Sequence, residues 1–166
     1  MGNEVRLVIF DLDGTLVSLP VDYDRLKLEI RKILGINDIS PISEKLSKID
    51  DVKRKRVFEV WTKFEFEALP KLKLVREGIK LYRKYCNKIR CLVTLQGRRI
   101  TEAILKRVNL SFDFIVTREN SLFRSEQIEL IIQKFKINPK NVLMIGDRES
   151  DKDAAEKVGC KFIYIR

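Results

Sequence analysis

The segment VRLVIFDLDGTL, Val5 to Leu16, decides how the rest of the chain is read. Its apolar run from Arg6 to Phe10 is short, rich in β-branched residues and does not alternate with polar ones. That pattern suits a strand buried on both faces, as in a parallel sheet, and not a half-exposed antiparallel strand. The run ends on Asp11, with Asp13 two residues further on. Residues two apart on a strand project to the same side, so both carboxylates can share one site at its C-terminal end. Gly14 then lets the chain turn sharply. A calcium loop would need further acids at fixed offsets and a final Glu. Thr15, Leu16 and Val17 follow instead.

Outward from this strand, four more runs of the same kind occur: Arg90 to Thr94, Phe112 to Thr117, Val142 to Ile145 and Phe162 to Ile165. Helical periodicity separates them. Ile100, Ile104, Leu105 and Val108 form one stripe; Ile128, Ile131, Ile132 and Phe135 form the next; a short helix from about Ser150 to Val158 closes at Gly159. Such alternation predicts an α/β fold: a Rossmann-like three-layer sandwich with a five-stranded parallel sheet and right-handed crossovers. The first connection differs. From Pro20 to about Lys73 no strand signal is found and three helices are predicted. The first is capped by Asp22 and stops at Gly35, the second starts at Ser40-Pro41, and Asp51 caps the third, which ends near Leu69-Pro70. A fourth helix, about Val75 to Tyr85, returns to the sheet with Ile79, Tyr82 and Cys86 inward. The expected organisation is a core of residues 1–17 and 75–166 and a small all-helical insert of residues 18–74 after the first strand. Its expected hinges are Ser18-Leu19-Pro20 and Leu69-Pro70-Lys71.

Composition narrows the chemistry. The 166 residues include 34 Lys+Arg, 24 Asp+Glu and no histidine. Imidazole-based triads, His-ligated zinc and the HExxH helix are therefore excluded. Cys86, Cys91 and Cys160 are odd in number and form no CxxC pair, which argues against a disulfide framework and fits a reducing, cytoplasmic setting. No secretory pattern opens the chain, and no stretch approaches the ~20 apolar residues of a membrane helix. The charge of +10 invites a nucleic-acid reading. The densest run, Lys53-Arg54-Lys55-Arg56, precedes Phe58, Trp61, Phe64 and Phe66. However, Val57, Trp61, Phe64 and Ala68 recur at helical spacing, and Glu59, Glu65 and Glu67 dilute the patch. Packed aromatics on a solvated basic helix are the simpler reading.

The remaining strand ends carry the rest of the chemistry. Gly146-Asp147-Arg148-Glu149-Ser150-Asp151 follows the fourth strand, and Thr94 ends the second, just before Gln96-Gly97-Arg98. A parallel sheet brings Asp11, Asp13, Thr94, Asp147 and Asp151 to one edge. Clustered carboxylates repel unless a hard cation neutralises them, and an oxygen-only set with room for water suits Mg²⁺. A carboxylate is already ionised at neutral pH and can attack phosphorus without a base, while a second acid can protonate the leaving group.

The set DLDGTL (11–16), the run ending in Thr94 and GDRESD (146–151) resembles the haloacid dehalogenase (HAD) superfamily, specifically its phosphoglycolate phosphatase-like branch. There a small helical C1 cap lies between the first two motifs. The resemblance spans the whole chain. It implies Mg²⁺-dependent phosphomonoester hydrolysis through an aspartyl-phosphate on Asp11, with Asp13 as general acid and then base. Thr94 would hold the phosphoryl oxygens, and Asp147 and Asp151 would position Mg²⁺ together with Asp11 and the backbone carbonyl of Asp13. An acid at position 13 favours phosphoryl transfer over C–Cl or C–P cleavage. The family's usual lysine ahead of the fourth strand is missing; Arg124 stands closest to its place and Arg118 is the second choice. Gln96 and Arg98 are candidates for touching substrate, as are Tyr23 and Lys27 of the insert. The expected partner is a small phosphorylated metabolite. The competing reading is a weakly active or non-catalytic HAD scaffold that binds a polyanion such as nucleic acid.

Overall fold

The computed structural model of the chain describes residues 2–166. In chain order the elements are β1 (Leu7–Asp11), β2 (Val17–Ser18), α1 (Tyr23–Leu34), α2 (Ile42–Ser47), α3 (Asp51–Ala68), β3 (Lys73–Leu74), α4 (Arg76–Lys84), β4 (Ile89–Val93), α5 (Arg98–Val108), β5 (Phe114–Val116), α6 (Arg124–Phe135), β6 (Val142–Gly146), α7 (Glu149–Val158) and β7 (Lys161–Tyr164). The five long-range strands form one sheet in the order β5-β4-β1-β6-β7, and every pairing in it is parallel. β1 is central, which explains why its whole span is buried.

Alternation along β1 divides the core between the two faces of the sheet. Val8 and Phe10 pack with Ile79 of α4, Ile100 and Ile104 of α5, and Leu26, Ile30, Trp61 and Phe64 of the insert. Leu7 and Ile9 pack on the other side with Ile128 and Ile131 of α6 and Ala154 and Ala155 of α7. Helix, sheet and helix thus form the three-layer α/β sandwich expected from the strand pattern. No helix among the described residues is long and apolar enough to cross a membrane.

Several local expectations shift. Asp50, not Asp51, caps α3, its side chain accepting from the Lys53 N–H at 2.8 Å. Adjacent acids compete for this place, and the one with extended backbone takes it. Pro41 itself occupies the N-cap of α2, so Ser40 lies outside the helix. Cys86 is exposed, because α4 ends at Lys84 and Cys86 falls beyond its last turn. Cys91 and Cys160 are buried, and burial pushes their thiols up to about 12 and about 11. A two-stranded antiparallel ribbon, Val17↔Leu74 and Ser18↔Lys73, joins the chain where it leaves for α1 and where it returns from α3. It was not expected, since two residues are too few for periodicity to register.

Candidate active site

Leu12 to Val17 form a tight loop after β1. The N–H groups of Leu16 and Val17 donate to the Leu12 carbonyl at 2.9 and 3.1 Å, and the Gly14 N–H donates to the Val17 carbonyl at 2.7 Å. Gly14 has φ +83°, and a Cβ there would stand 2.1 Å from Asp147 Oδ2. Only glycine gives both the left-handed conformation and this approach. Helix α4 braces the loop from behind: Gly78 lies so close to the Thr15 carbonyl that an added Cβ would be 1.7 Å from its oxygen.

The parallel sheet does what the motif spacing requires. One carboxylate oxygen from each of Asp11, Asp147 and Asp151 lies within 4.8 Å of the others. Asp11 and Asp151 are buried. Burial pushes the Asp11 carboxyl up to about 8; Arg124 opposes the shift, while Asp151 and Asp147 add to it. Asp147 Oδ1 and Asp151 Oδ2 are buried without a hydrogen-bond partner among the described residues. Three carboxylates with orphaned oxygens fit a hard divalent cation, whose charge would remove both the repulsion and the unmet acceptor capacity. Asp13 stands apart from this cluster. Its Oδ1 accepts from the Leu19 N–H at 2.9 Å, and burial raises its pKa above the usual carboxylate range.

Arg124 is the first residue of α6, where a cation works against the helix dipole. Its partners compensate. Nη2 donates to Asp11 Oδ1 and Nε to Asp151 Oδ1, both at 3.0 Å, and Nη1 donates to Gln127 Oε1 at 2.6 Å. Gln127 is fully buried, and its amide also donates to the carbonyls of Thr94 at 2.9 Å and Ser121 at 3.0 Å. It therefore fixes Arg124, the β4 end and the loop before α6 together. The sequence reading passed over Gln127. Its signal was an amide on the face that carries Ile128 and Ile131, where an apolar residue would be expected.

Arg118, the second choice for the missing lysine, is used elsewhere. It is buried beneath α3 and pairs with Glu65 at 2.8 Å, both side chains fully enclosed. It also donates to Thr62 Oγ1 at 2.9 Å, and its guanidinium lies 4.5 Å from the Trp61 ring centre. Glu65 accepts from the Gly97 N–H at 3.3 Å, which ties α3 to the loop after β4. This pair went unseen because Glu65 had been read as diluting a surface patch.

A cavity of about 720 Å³ opens over the strand ends. Asp11, Asp13, Thr94 and Arg124 line it from the sheet side, while Tyr23, Lys27 and Trp61 line it from the insert. Thr94 Oγ1 accepts from the Gln96 N–H at 3.0 Å, and Gln96 also lines the cavity. Arg98 does not. As the first residue of α5, it directs its guanidinium to the Ile115 carbonyl at 3.1 Å and to Asn120 Oδ1 at 2.9 Å, away from the cavity. The basic run is no stacking platform either, as Trp61 and Phe64 are buried and Phe58 and Phe66 half-buried. Arg54 is drawn inward onto the carbonyls of Leu46 at 2.9 Å and Ile49 at 2.8 Å.

Comparison with known proteins agrees with this arrangement. Residues 21–165 match the model of the haloacid dehalogenase-like hydrolases. The chain belongs to that family. An uncharacterized hydrolase of Saccharomyces cerevisiae is 25% identical over 99% of this chain and 78% of its own length. Among solved structures, a haloacid dehalogenase-like protein of Streptococcus pneumoniae superposes with a TM-score of 0.71 at 17% identity, covering 98% of this chain and 85% of that one. CbbY of Rhodobacter sphaeroides, solved with phosphate, gives 0.70 at 16% identity, covering 96% and 85%. A phosphoglycolate phosphatase-like protein of Lactobacillus plantarum gives 0.69 at 18%, again over 96% and 85%. At these identities the structural likenesses speak for the fold.

Proposed function

We propose that this HAD-family hydrolase is a Mg²⁺-dependent phosphatase of small phosphomonoesters. The carrying observation is the clustering of Asp11, Asp147 and Asp151 carboxylates within 4.8 Å, with two of their buried oxygens unpartnered. Asp11, Asp147 and Asp151, with the backbone carbonyl of Asp13, would hold Mg²⁺, which when bound offsets the negative charge of nucleophile and phosphate dianion. In the first step an Asp11 carboxylate oxygen attacks phosphorus, and the bond from phosphorus to the ester oxygen breaks. Asp13, kept protonated by its raised pKa, gives its proton to the leaving alkoxide. Asp13 then takes a proton from water as that water attacks the aspartyl-phosphate. The Asp11–phosphorus bond breaks and inorganic phosphate leaves. The Leu19 N–H fixes the Asp13 carboxyl throughout.

In this reading Arg124 replaces the family's lysine. It already bridges Asp11 and Asp151 and can turn its donors to the phosphoryl oxygens as charge builds there. Thr94 and Gln96 present further donors at the end of β4. Residues 18–74 serve as the cap over a core of residues 1–17 and 75–166, with the β2–β3 ribbon at the junction. Phosphate release from p-nitrophenyl phosphate, measured with Mg²⁺, with EDTA and in Asp11→Asn, tests the proposal. Equal release by wild type and Asp11→Asn in Mg²⁺ would overturn it.

A further inference from the structure

Helix α1 carries four cations, and three have partners. Arg25 pairs with Glu67 at 3.5 Å and Asp22 at 4.0 Å, Lys32 pairs with Glu29 at 3.0 Å, and Arg31 donates to the Asn37 carbonyl at 2.9 Å. Lys27 forms no ion pair or hydrogen bond among the described residues, and it alone of the four lines the cavity over Asp11. It is half-buried and lies one turn beyond Tyr23, so both face the cavity from one side of the helix. The acid of the insert that shares this wall is already engaged, Glu44 being paired with Lys48 at 3.2 Å. Ile42, Trp61 and Phe123 supply apolar neighbours that strengthen any charge interaction there.

Two further donors want acceptors. The Trp61 indole N–H and the Gln96 amide nitrogen are buried without a hydrogen-bond partner among the described residues, and both side chains border the cavity. On the sheet side the ordering differs, since Arg124 is consumed by Asp11 and Asp151. A phosphate seated at Asp11 therefore leaves the insert side as a separate, donor-rich wall.

We propose that the substrate's leaving group carries a second anion of carboxylate size and that Lys27 receives it. This rests on the phosphatase reading and narrows its substrate class to phosphorylated acids. Calorimetry in Mg²⁺ buffer can compare two non-hydrolysable ligands, 3-phosphonopropionate and propylphosphonate, on the full chain. The wild type should bind the carboxylated ligand at least about tenfold more tightly, the worth of one charge-assisted contact. In Lys27→Met that ratio should fall towards one, and Lys27→Arg should restore much of it. Lys32→Met, on the outer face of α1, should keep the wild-type ratio.

Equal binding of the two ligands by the wild type would overturn the proposal, even if aryl phosphate is hydrolysed. A ratio that survives Lys27→Met and collapses in Arg148→Met would move the contact to the exposed arginine beside Asp13 and equally overturn it. If p-nitrophenyl phosphate is not hydrolysed and neither phosphonate binds, the parent reading fails and this one with it.

Discussion

Two arginines six residues apart, Arg118 and Arg124, both end on carboxylates, yet their surroundings are opposite in kind. Around Arg118 the charges match one to one: Glu65 is its only acidic partner, and Thr62 Oγ1 and backbone carbonyls take up other donors. Around Arg124 there is a surplus of acid. Two carboxylates share one guanidinium, a third lies within 4.8 Å of both, and buried oxygens stay unpartnered. A balanced buried pair needs nothing more and serves to hold α3 on the core. An unbalanced cluster is incomplete without something positive, and that incompleteness marks the reactive end of the molecule.

The comparison can be broken at either end. Asp11→Asn should lower Mg²⁺-dependent hydrolysis of aryl phosphate by about 10³-fold or more, as loss of a nucleophile does. The same variant should unfold at no lower temperature than wild type in EDTA, because it removes a charge from a crowded site. A large drop in melting temperature would mean that Asp11 belongs to a balanced, structural set after all.

Arg118→Met should do the reverse. Removing one partner of a fully buried pair costs about 3–5 kcal/mol, which urea denaturation would read as a lower midpoint. The double replacement Glu65→Leu with Arg118→Met should recover much of that loss, since no uncompensated charge is left. If the single variant is as stable as wild type, the pair does not hold the insert.

Arg124→Gln should slow turnover by about 10²-fold, the scale of a lost donor at a developing charge, and Arg124→Lys should recover part of it. Steady-state kinetics would show the effect mainly in kcat. An unchanged kcat in Arg124→Gln would leave the family's lysine without a substitute here.

A smaller effect concerns pH. The Asp11 carboxyl sits at about 8 in the folded chain against an ordinary 3.8, so the folded state holds a proton that the unfolded state has released between these limits. Stability without a cation should therefore fall as pH rises through that window. Thermal melts in EDTA from pH 5 to 8 should show the decline, Asp11→Asn should flatten it, and saturating Mg²⁺ should raise the pH 8 melting temperature by a few degrees.

The acid cluster could be read from sequence because each member sits where an apolar run stops. A parallel sheet brings such stops to one edge, so local pattern implied distant contact for Asp11, Thr94 and Asp147. The Glu65–Arg118 pair had no such guide. Its partners are 53 residues apart, and a glutamate on a helix rich in charge looks like any solvated one. Arg98 was misplaced for a related reason. Its position after β4 set the right neighbourhood, but which way a long side chain turns depends on Asn120 and the Ile115 carbonyl, acceptors supplied by another loop. Caps shifted by one residue at Asp50 because neighbouring acids have nearly equal propensity.

The small ribbon that pairs Val17 with Leu74 and Ser18 with Lys73 has a consequence of its own. The chain departs and comes back at adjacent points, so everything from Leu19 to Leu72 is topologically a single loop whose ends are already stitched together. Closing a longer or shorter loop across that stitch changes the entropic cost only logarithmically. The strand order of the sheet would be the same with a brief turn in its place. Such an architecture lets the chemistry at the strand ends stay fixed while the piece above it is exchanged, much as a tool keeps its handle and takes a different head.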